Sequence, residues 1–263
     1  MIALVRRCYI PPVLWQPLTI TAIVCAYNEA RHLPACIFSL LSQTRPPDEI
    51  LIINNASTDE TGEVAREIAR GVPRVRVIDE PAKGLVVARE TARRAARGSV
   101  LAYVDADCRV PLRWLERIEA QLDASPAVAV TGPYRFYDWD LSGRTIIGVY
   151  DILVAPATHV AVHHLMGIGA ILYGGNFAVH AHALERIGGF DSTIEFHGED
   201  TNLGRRLTAI GRVRMCPDCW VWTSARRYVA MGKRKVFGLY VRNFWSEILR
   251  HRPADREHLD VRA

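Results

Sequence analysis

The sequence predicts an α/β fold in which a mostly parallel sheet carries helices on both faces. Three observations point there. Apolar, β-branched runs alternate with helical spacings over the first 130 residues, joined by short connections. The runs are continuously apolar, as expected of strands buried on both faces. Polar residues follow directly on each run, where ligands bind in sheets of this class.

Each element has its own signal. Thr19–Cys25 (TITAIVC) reads as the first strand, and Glu29–Leu41 spaces Leu33, Ile37, Leu40 and Leu41 along one helical face. Glu49–Ile53 is the second strand. A helix follows from Thr58 or Asp59 to about Arg70, and Ser57 precedes Glu60 at the capping-box spacing. Val75–Ile78 is the third strand, Gly84–Arg97 the next helix, and Val100–Val104 the fourth strand. Further on, Phe177–Val179 reads as a strand and Thr201–Ile210 as a helix opened by paired acids.

Composition sets the outer bounds. The chain has 263 residues, 49% hydrophobic and 23% charged, so a disordered, collagen-like or disulfide-scaffold protein is excluded. Six scattered cysteines suit reduced thiols, and Cys216-Pro-Asp-Cys219 lacks the second pair that a tetrahedral zinc site needs. Residues 1–17 read as an N-terminal extension without the sustained apolar core of a signal peptide. The uncharged stretch Ile152–Leu184 is long enough to cross a bilayer, but Pro156, three histidines and several glycines interrupt it. It reads as buried or interfacial.

The net charge of +5 is uneven. Residues 226–263 hold ten Lys and Arg against four Asp and Glu, so this tail carries +6 and residues 1–225 sum to −1. Such a tail calls for an anionic partner. No nucleic-acid-binding motif accompanies it, and nucleic acid is not expected. Phe237, Tyr240, Val241, Phe244, Trp245 and Ile248 fall near one helical face behind Lys233, Arg234 and Lys235. That pattern suits a helix on an anionic membrane and equally a helix packed on its own domain.

The strand ends carry the chemistry. They read Ala26-Tyr27-Asn28-Glu29, then Asn54 to Asp59, then Asp79 to Gly84, then Asp105-Ala-Asp107. Two carboxylates as close as Asp105 and Asp107 repel, and a divalent cation is the simplest compensation. Hard oxygen donors suit Mg²⁺ or Mn²⁺, which recruit phosphate oxygens as further ligands.

In their order, CAYNE (25–29), IINNASTD (52–59), Lys83-Gly84 with Ala88-Arg89, and Asp105-Ala-Asp107 resemble the family 2 glycosyltransferases of the GT-A fold. Gly174-Gly175-Asn176, Gly188-Gly-Phe-Asp191 and Gly198-Glu199-Asp200 resemble that family's acceptor-side motifs. The resemblance spans about residues 18–210. It implies one GT-A domain over 18–225, with a nucleotide-binding half (18–110) and an acceptor half (111–225). It also implies a nucleotide-sugar donor, usually UDP-linked, a divalent metal, inversion at the anomeric carbon, and a glycan or lipid-linked acceptor.

Residue by residue, the resemblance implies that Ala26, Tyr27 and Glu29 border the nucleoside and that Asn55, or its neighbour Asn54, faces the base. The family commonly has aspartate in that pair, and an amide both donates and accepts where a carboxylate only accepts. Lys83 is placed near the nucleotide, Asp105 by the ribose and metal, and Asp107 as principal metal ligand. Asp200 is implied as the base, with Glu199 in support; paired acids also favour a helix N-terminus by themselves. Asp191 orders the loop that carries them. Gly175 and Asn176 border the acceptor or donor sugar. Arg226 and Arg227 suit the donor diphosphate, because guanidinium matches phosphate oxygens. His163, His164, His180, His182 and His197 have no decisive spacing partner, and no histidine lies in Val221–Arg227 to complete a metal shell.

Two other readings share these features. A sugar-phosphate nucleotidyltransferase would carry a Gly-rich, basic loop after the first strand, which Tyr-Asn-Glu does not offer. A non-catalytic nucleotide-sugar-binding module would have no use for Asp105, Asp107 and Asp200. The expected setting is cytoplasmic, peripheral on the inner face of the membrane.

Overall fold

The computed structural model describes residues 17–194, 198–252 and 254. His197, Cys8 and almost all of the N-terminal extension lie outside the described residues, as do 255–263 of the tail. The first strands form where the apolar runs predict: β1 (Ile20–Ala26), β2 (Glu49–Asn55), β3 (Val75–Glu80) and β4 (Val100–Asp105). The helices between them are α1 (Leu33–Leu41), α2 (Thr61–Ala69) and α3 (Leu85–Ala95). After them come α4 (Trp114–Asp123), β5 (Ala127–Thr131), β6 (Tyr134–Phe136) and β7 (Asn176–His180).

Seven strands make one sheet in the order β3-β2-β1-β4-β7-β5-β8, where β8 is Arg212–Met215. Pairing is parallel from β3 through β4 and between β5 and β8, while β7 runs antiparallel to both neighbours. The side-chain period of two divides the core between two layers. Ile20, Ala22 and Val24 join α1, α2 and α4 on one face; Ile23, Leu51 and Ile53 join α3, α7 (Ala181–Arg186) and α8 (Glu199–Thr208) on the other. Continuous apolar runs were needed because both faces are covered.

Beyond β1 the chain moves outward to β2 and β3, then returns to place β4 on the other side of β1. The ends of β1 and β4 therefore flank the crevice where strand order reverses, the place where open α/β sheets bind ligands.

One local expectation fails. Ser57 and Glu60 do not form a capping box; the Ser57 hydroxyl accepts from Asn28 N–H at 3.1 Å, and Asp59 accepts from Thr61 N–H at 3.0 Å. Asn28 has φ +51, and its turned N–H draws the hydroxyl away from the helix.

Between β6 and β7 lies a continuous helix, Leu141–Leu165, long and apolar enough to cross a membrane by length and composition. It contains α5 (Leu141–Val149), a wide π turn (Tyr150–Val154), α6 (Ala155–His159) and a second π turn (Val160–Leu165). The uncharged stretch thus divides: its helical part is largely exposed, whereas Ala170, Leu172 and β7 are buried. Two inward histidines dock the helix on the sheet edge. His159 Nδ1 accepts from Ile171 N–H, so Nε2 donates to the Val213 carbonyl at 3.1 Å. His163 Nε2 accepts from Val213 N–H at 3.1 Å, so Nδ1 donates to the Thr208 hydroxyl. The outward N–H and C=O of Val213 in edge strand β8 are thereby satisfied.

The chain ends in β9 (Val221–Thr223), paired with β6, then α9 (Arg226–Met231) and α10 (Lys233–Arg250). One face of α10 packs on α8, where buried Glu247 accepts from Asn202 at 3.0 Å and lies 3.5 Å from Arg205. Packing on the domain is therefore one of the tail's roles, and its opposite face stays exposed.

Candidate active site

The strand ends converge as the topology requires. Asp105 closes β4, its side chain about half exposed, and its N–H donates to the Gly175 carbonyl at 3.4 Å. Gly175 is needed there: a Cβ would collide with the Asp105 carboxyl and lie 2.8 Å from the Tyr134 hydroxyl. Asp107 lies deeper, in reach of the Thr223 hydroxyl at 3.4 Å and of Arg226 at 3.0 Å. Burial pushes its carboxyl up to about 6, with Asp105 adding repulsion and Arg226 pulling the other way.

Arg226 was assigned to the donor diphosphate; the structure gives it a protein partner set. It grips Glu29 through both terminal guanidinium nitrogens and also meets Asp107. Glu29 is 4% exposed, so its place is below the crevice floor, anchoring this arginine. Charge-assisted, two-pronged pairing of this kind fixes geometry as well as adding energy.

Arg89 is the second hub. It is buried, donates to the Gly174 carbonyl at 2.7 Å, and lies 3.9 Å from Asp105 and 3.5 Å from Glu199. One cation thus joins the β4 carboxylate to the carboxylates at the start of α8. Burial and the neighbouring Asp200 push Glu199 up to about 8. Burial also raises Asp200, although Thr201 N–H donates to it at 2.7 Å and opposes the shift. Gly174 packs against Asp200; a Cβ there would lie 3.4 Å from the Asp200 Cβ. Asp191 accepts from Thr193 at 3.0 Å and from Asn202 of α8 at 3.4 Å, tying its turn to the helix that bears the acids.

On the nucleotide side, Ala26 is buried at the end of β1, and Lys83 Nζ donates to the Tyr27 hydroxyl at 2.7 Å. Asn54 donates to Asp79 at 2.7 Å, and its own carbonyl oxygen is buried without a hydrogen-bond partner. Arg227 donates to the Tyr240 hydroxyl at 3.0 Å.

Two expected contact residues are committed elsewhere. Asn55 donates to the Ala82 carbonyl at 2.6 Å and accepts from Gly84 N–H at 2.9 Å, so its amide latches the loop after β3. Asn176 donates to the Gly132 and Cys219 carbonyls and accepts from the Trp114 indole at 3.0 Å; it is 1% exposed. An amide has two donor hydrogens and one acceptor oxygen. Both side chains are spent on protein partners and hold the floor under the crevice instead of facing a ligand.

The donor set suits a hard divalent cation. Asp105 and Asp107 bring carboxylate oxygens to one crevice, and the missing Cβ of Gly175 lets the Asp105 carboxyl lie against the backbone there. The nitrogens of His159, His163 and His164 also gather, within 4.8 Å of one another. Four of them already serve Val213, Ile171 and Thr208, which makes that cluster a structural dock. Cys216 and Cys219 have sulfurs 2.9 Å apart, and both are free thiols without further metal-ligating partners among the described residues.

Sequence reasoning passed over Arg89 as a site residue and did not pair Glu29 with Arg226. Arg89 stood within the motif that carried the resemblance; nothing local marked its reach to two carboxylates.

The family model for glycosyl transferase family 2 matches residues 21–188. The glycosyltransferase AglE of Haloferax volcanii is 27% identical over 196 residues, covering 73% of this chain and 62% of that protein. The uncharacterized glycosyltransferase EpsJ of Bacillus subtilis is 36% identical over 104 residues, covering 40% of this chain and 30% of that protein. The chain therefore spans less than two thirds of the length of these relatives. Among solved structures, mannosyltransferase PcManGT from Pyrobaculum calidifontis, in complex with GDP-Man and Mn²⁺, superposes with a TM-score of 0.71. It is 23% identical, over 89% of this chain and 65% of that one. TarS of S. aureus in complex with UDP-GlcNAc gives 0.60 at 16% identity, over 79% and 58%. These likenesses show the fold, the α/β architecture of the GT-A type. By the match across most of its sheet, the chain belongs to glycosyl transferase family 2.

Proposed function

We propose that the protein transfers a sugar from a nucleoside-diphosphate sugar to an acceptor hydroxyl, with inversion, using a divalent metal and a carboxylate base. The observation that carries this reading is the position of Arg89, which couples Asp105 on the donor side to Glu199 beside Asp200 on the acceptor side. Donor and acceptor chemistry then meet in one crevice. The known binding partners of the relatives, GDP-Man for PcManGT and UDP-GlcNAc for TarS, support a nucleotide-sugar donor.

Tyr27 and Lys83 line the nucleoside end, while Asn54 is held to Asp79 beside them. Asp105 and Asp107 would hold Mg²⁺ or Mn²⁺, which when bound neutralises charge developing on the departing diphosphate. Asp200 takes the proton from the acceptor hydroxyl as its oxygen attacks the anomeric carbon opposite the diphosphate. A single displacement of this kind inverts the centre. Burial raises both carboxyls and Asp200 repels Glu199, so the two titrate as a pair above ordinary carboxylates. Arg227 stands beside the same acids. Free thiols at five described cysteines support a reducing, cytoplasmic setting.

The test is nucleotide-sugar hydrolysis and transfer over a panel of UDP- and GDP-linked sugars with Mn²⁺ or Mg²⁺, UDP-sugars first. Turnover that depends on the metal and is lost in Asp107→Ala supports the reading. Full activity in Asp107→Ala would sink it.

A further inference from the structure

We propose that the long helix Leu141–Leu165 and the outer face of α10 form one docking surface for an anionic lipid bilayer. A helix of a soluble domain buries its apolar stripe. Here Leu141, Ile146, Val149, Ile152, Leu153 and Leu165 are all exposed, Ile152 at 73% and Leu165 at 78%. Contiguous exposed apolar surface of this kind marks an interaction site.

The two helices make one face. The Tyr150 and Phe237 rings meet edge to face at 5.6 Å, and Lys233 closes the start by donating to Asp140, the N-cap of α5, at 2.6 Å. On α10, exposed Phe237, Val241 and Trp245 lie among exposed Arg234, Lys235 and Arg242. The acids of these helices are turned inward: Glu247 is buried on α8, and Asp151 accepts from the Tyr173 hydroxyl at 2.5 Å. What faces outward is aliphatic, aromatic and cationic.

Charge decides the occupant. A second copy on a two-fold axis would set the same cations against each other. An anionic bilayer accepts them, and aromatic and basic residues beside an apolar stripe are what an interfacial helix presents. The helix lies on that surface and does not cross it, because His159 and His163 bind its inner side to Val213. On its inner side the helix is joined to the site: Tyr173, bonded to Asp151, leads into Gly174 beside Asp200.

The test is co-sedimentation of the whole chain with vesicles of phosphatidylcholine alone and of phosphatidylcholine mixed with phosphatidylglycerol. The protein is expected to pellet with the anionic vesicles, less so as salt is raised. The double variant Ile152→Glu, Leu153→Glu is expected to stay in the supernatant. Arg234→Gln with Lys235→Gln is expected to bind anionic vesicles about 30-fold more weakly, from roughly fivefold per cation. Wild-type protein that stays in the supernatant with both vesicles overturns the proposal. So does unchanged pelleting of the Ile152/Leu153 variant, or a dimer in sedimentation velocity that this variant abolishes without any vesicle binding. Donor hydrolysis measured without vesicles is expected to be equal in wild type and both variants. Its absence in all three would count against the proposed function and not against the docking surface.

Discussion

Arg226 and Glu29 stand 197 residues apart in sequence and form a bidentate ion pair beneath the crevice. The pair fastens the start of α9 to the end of β1, and through Arg226 it also holds Asp107. A C-terminal segment is thereby built into the first strand's site.

Replacing Arg226 with Ala leaves Glu29 buried without its cation. We expect a loss of about 2 kcal/mol, within the range for charged hydrogen bonds and moderated by the partial exposure of the arginine. Urea denaturation of the variant measures it; an unchanged midpoint would show the pair to be incidental.

Divalent cation binding should weaken as pH falls through about 6, because a proton then competes for Asp107. Mn²⁺ titration by electron paramagnetic resonance at neutral and mildly acidic pH checks this. Asp107→Asn should weaken binding at neutral pH by more than the roughly 10–100-fold cost of losing a mere supporting group.

Asp200→Asn should retain donor affinity while transfer falls roughly 10²–10⁴-fold, the usual worth of a positioned base. Since burial raises Asp200, the acid limb of the wild-type rate profile should lie above the ordinary aspartate value of about 3.9. Transfer unchanged in the variant would move the base elsewhere.

The histidine dock predicts an acid-labile helix. Burial pushes His163 down to about 4 and lowers His159 as well, while an unfolded histidine titrates near 6.5. Between those values the unfolded chain binds more protons, so stability should fall as pH drops from about 6.5 toward 4. Thermal melts across that window should show the decline, and His163→Gln should flatten it.

Asn176→Ala should act on stability and not on the substrate. It strands the Trp114 indole and two buried carbonyls, a cost of about 3 kcal/mol when several buried groups lose partners. Donor KM in the folded fraction should be unchanged. A selective rise in KM with normal stability would return Asn176 to the ligand.

Strands β1, β2 and β4 were legible because burial on both faces demands unbroken apolar runs, a requirement written locally; β3, at the sheet edge, is only partly buried and carries Arg76. The polar strand ends were legible for the same reason: they interrupt those runs at fixed places. Asp105 and Asp107 could therefore be named before any geometry, and Glu199 and Asp200 through the family resemblance. The capping box at Ser57 could not be judged locally, since the hydroxyl answers a neighbouring loop's strained N–H. Asn55 and Asn176 were equally opaque, because an amide that binds ligand and one that braces a floor look alike in sequence.

By itself the sequence determined the α/β class, the family, and which strand ends carry acids, all properties of residues close along the chain. Tertiary structure decided the partners. Arg89 bridges the donor-side and acceptor-side carboxylates, Arg226 reaches Glu29 and Asp107, and two histidines pin an exposed apolar helix to Val213. Side-chain pairing across the fold follows distance in space, and periodicity along the chain holds no record of it.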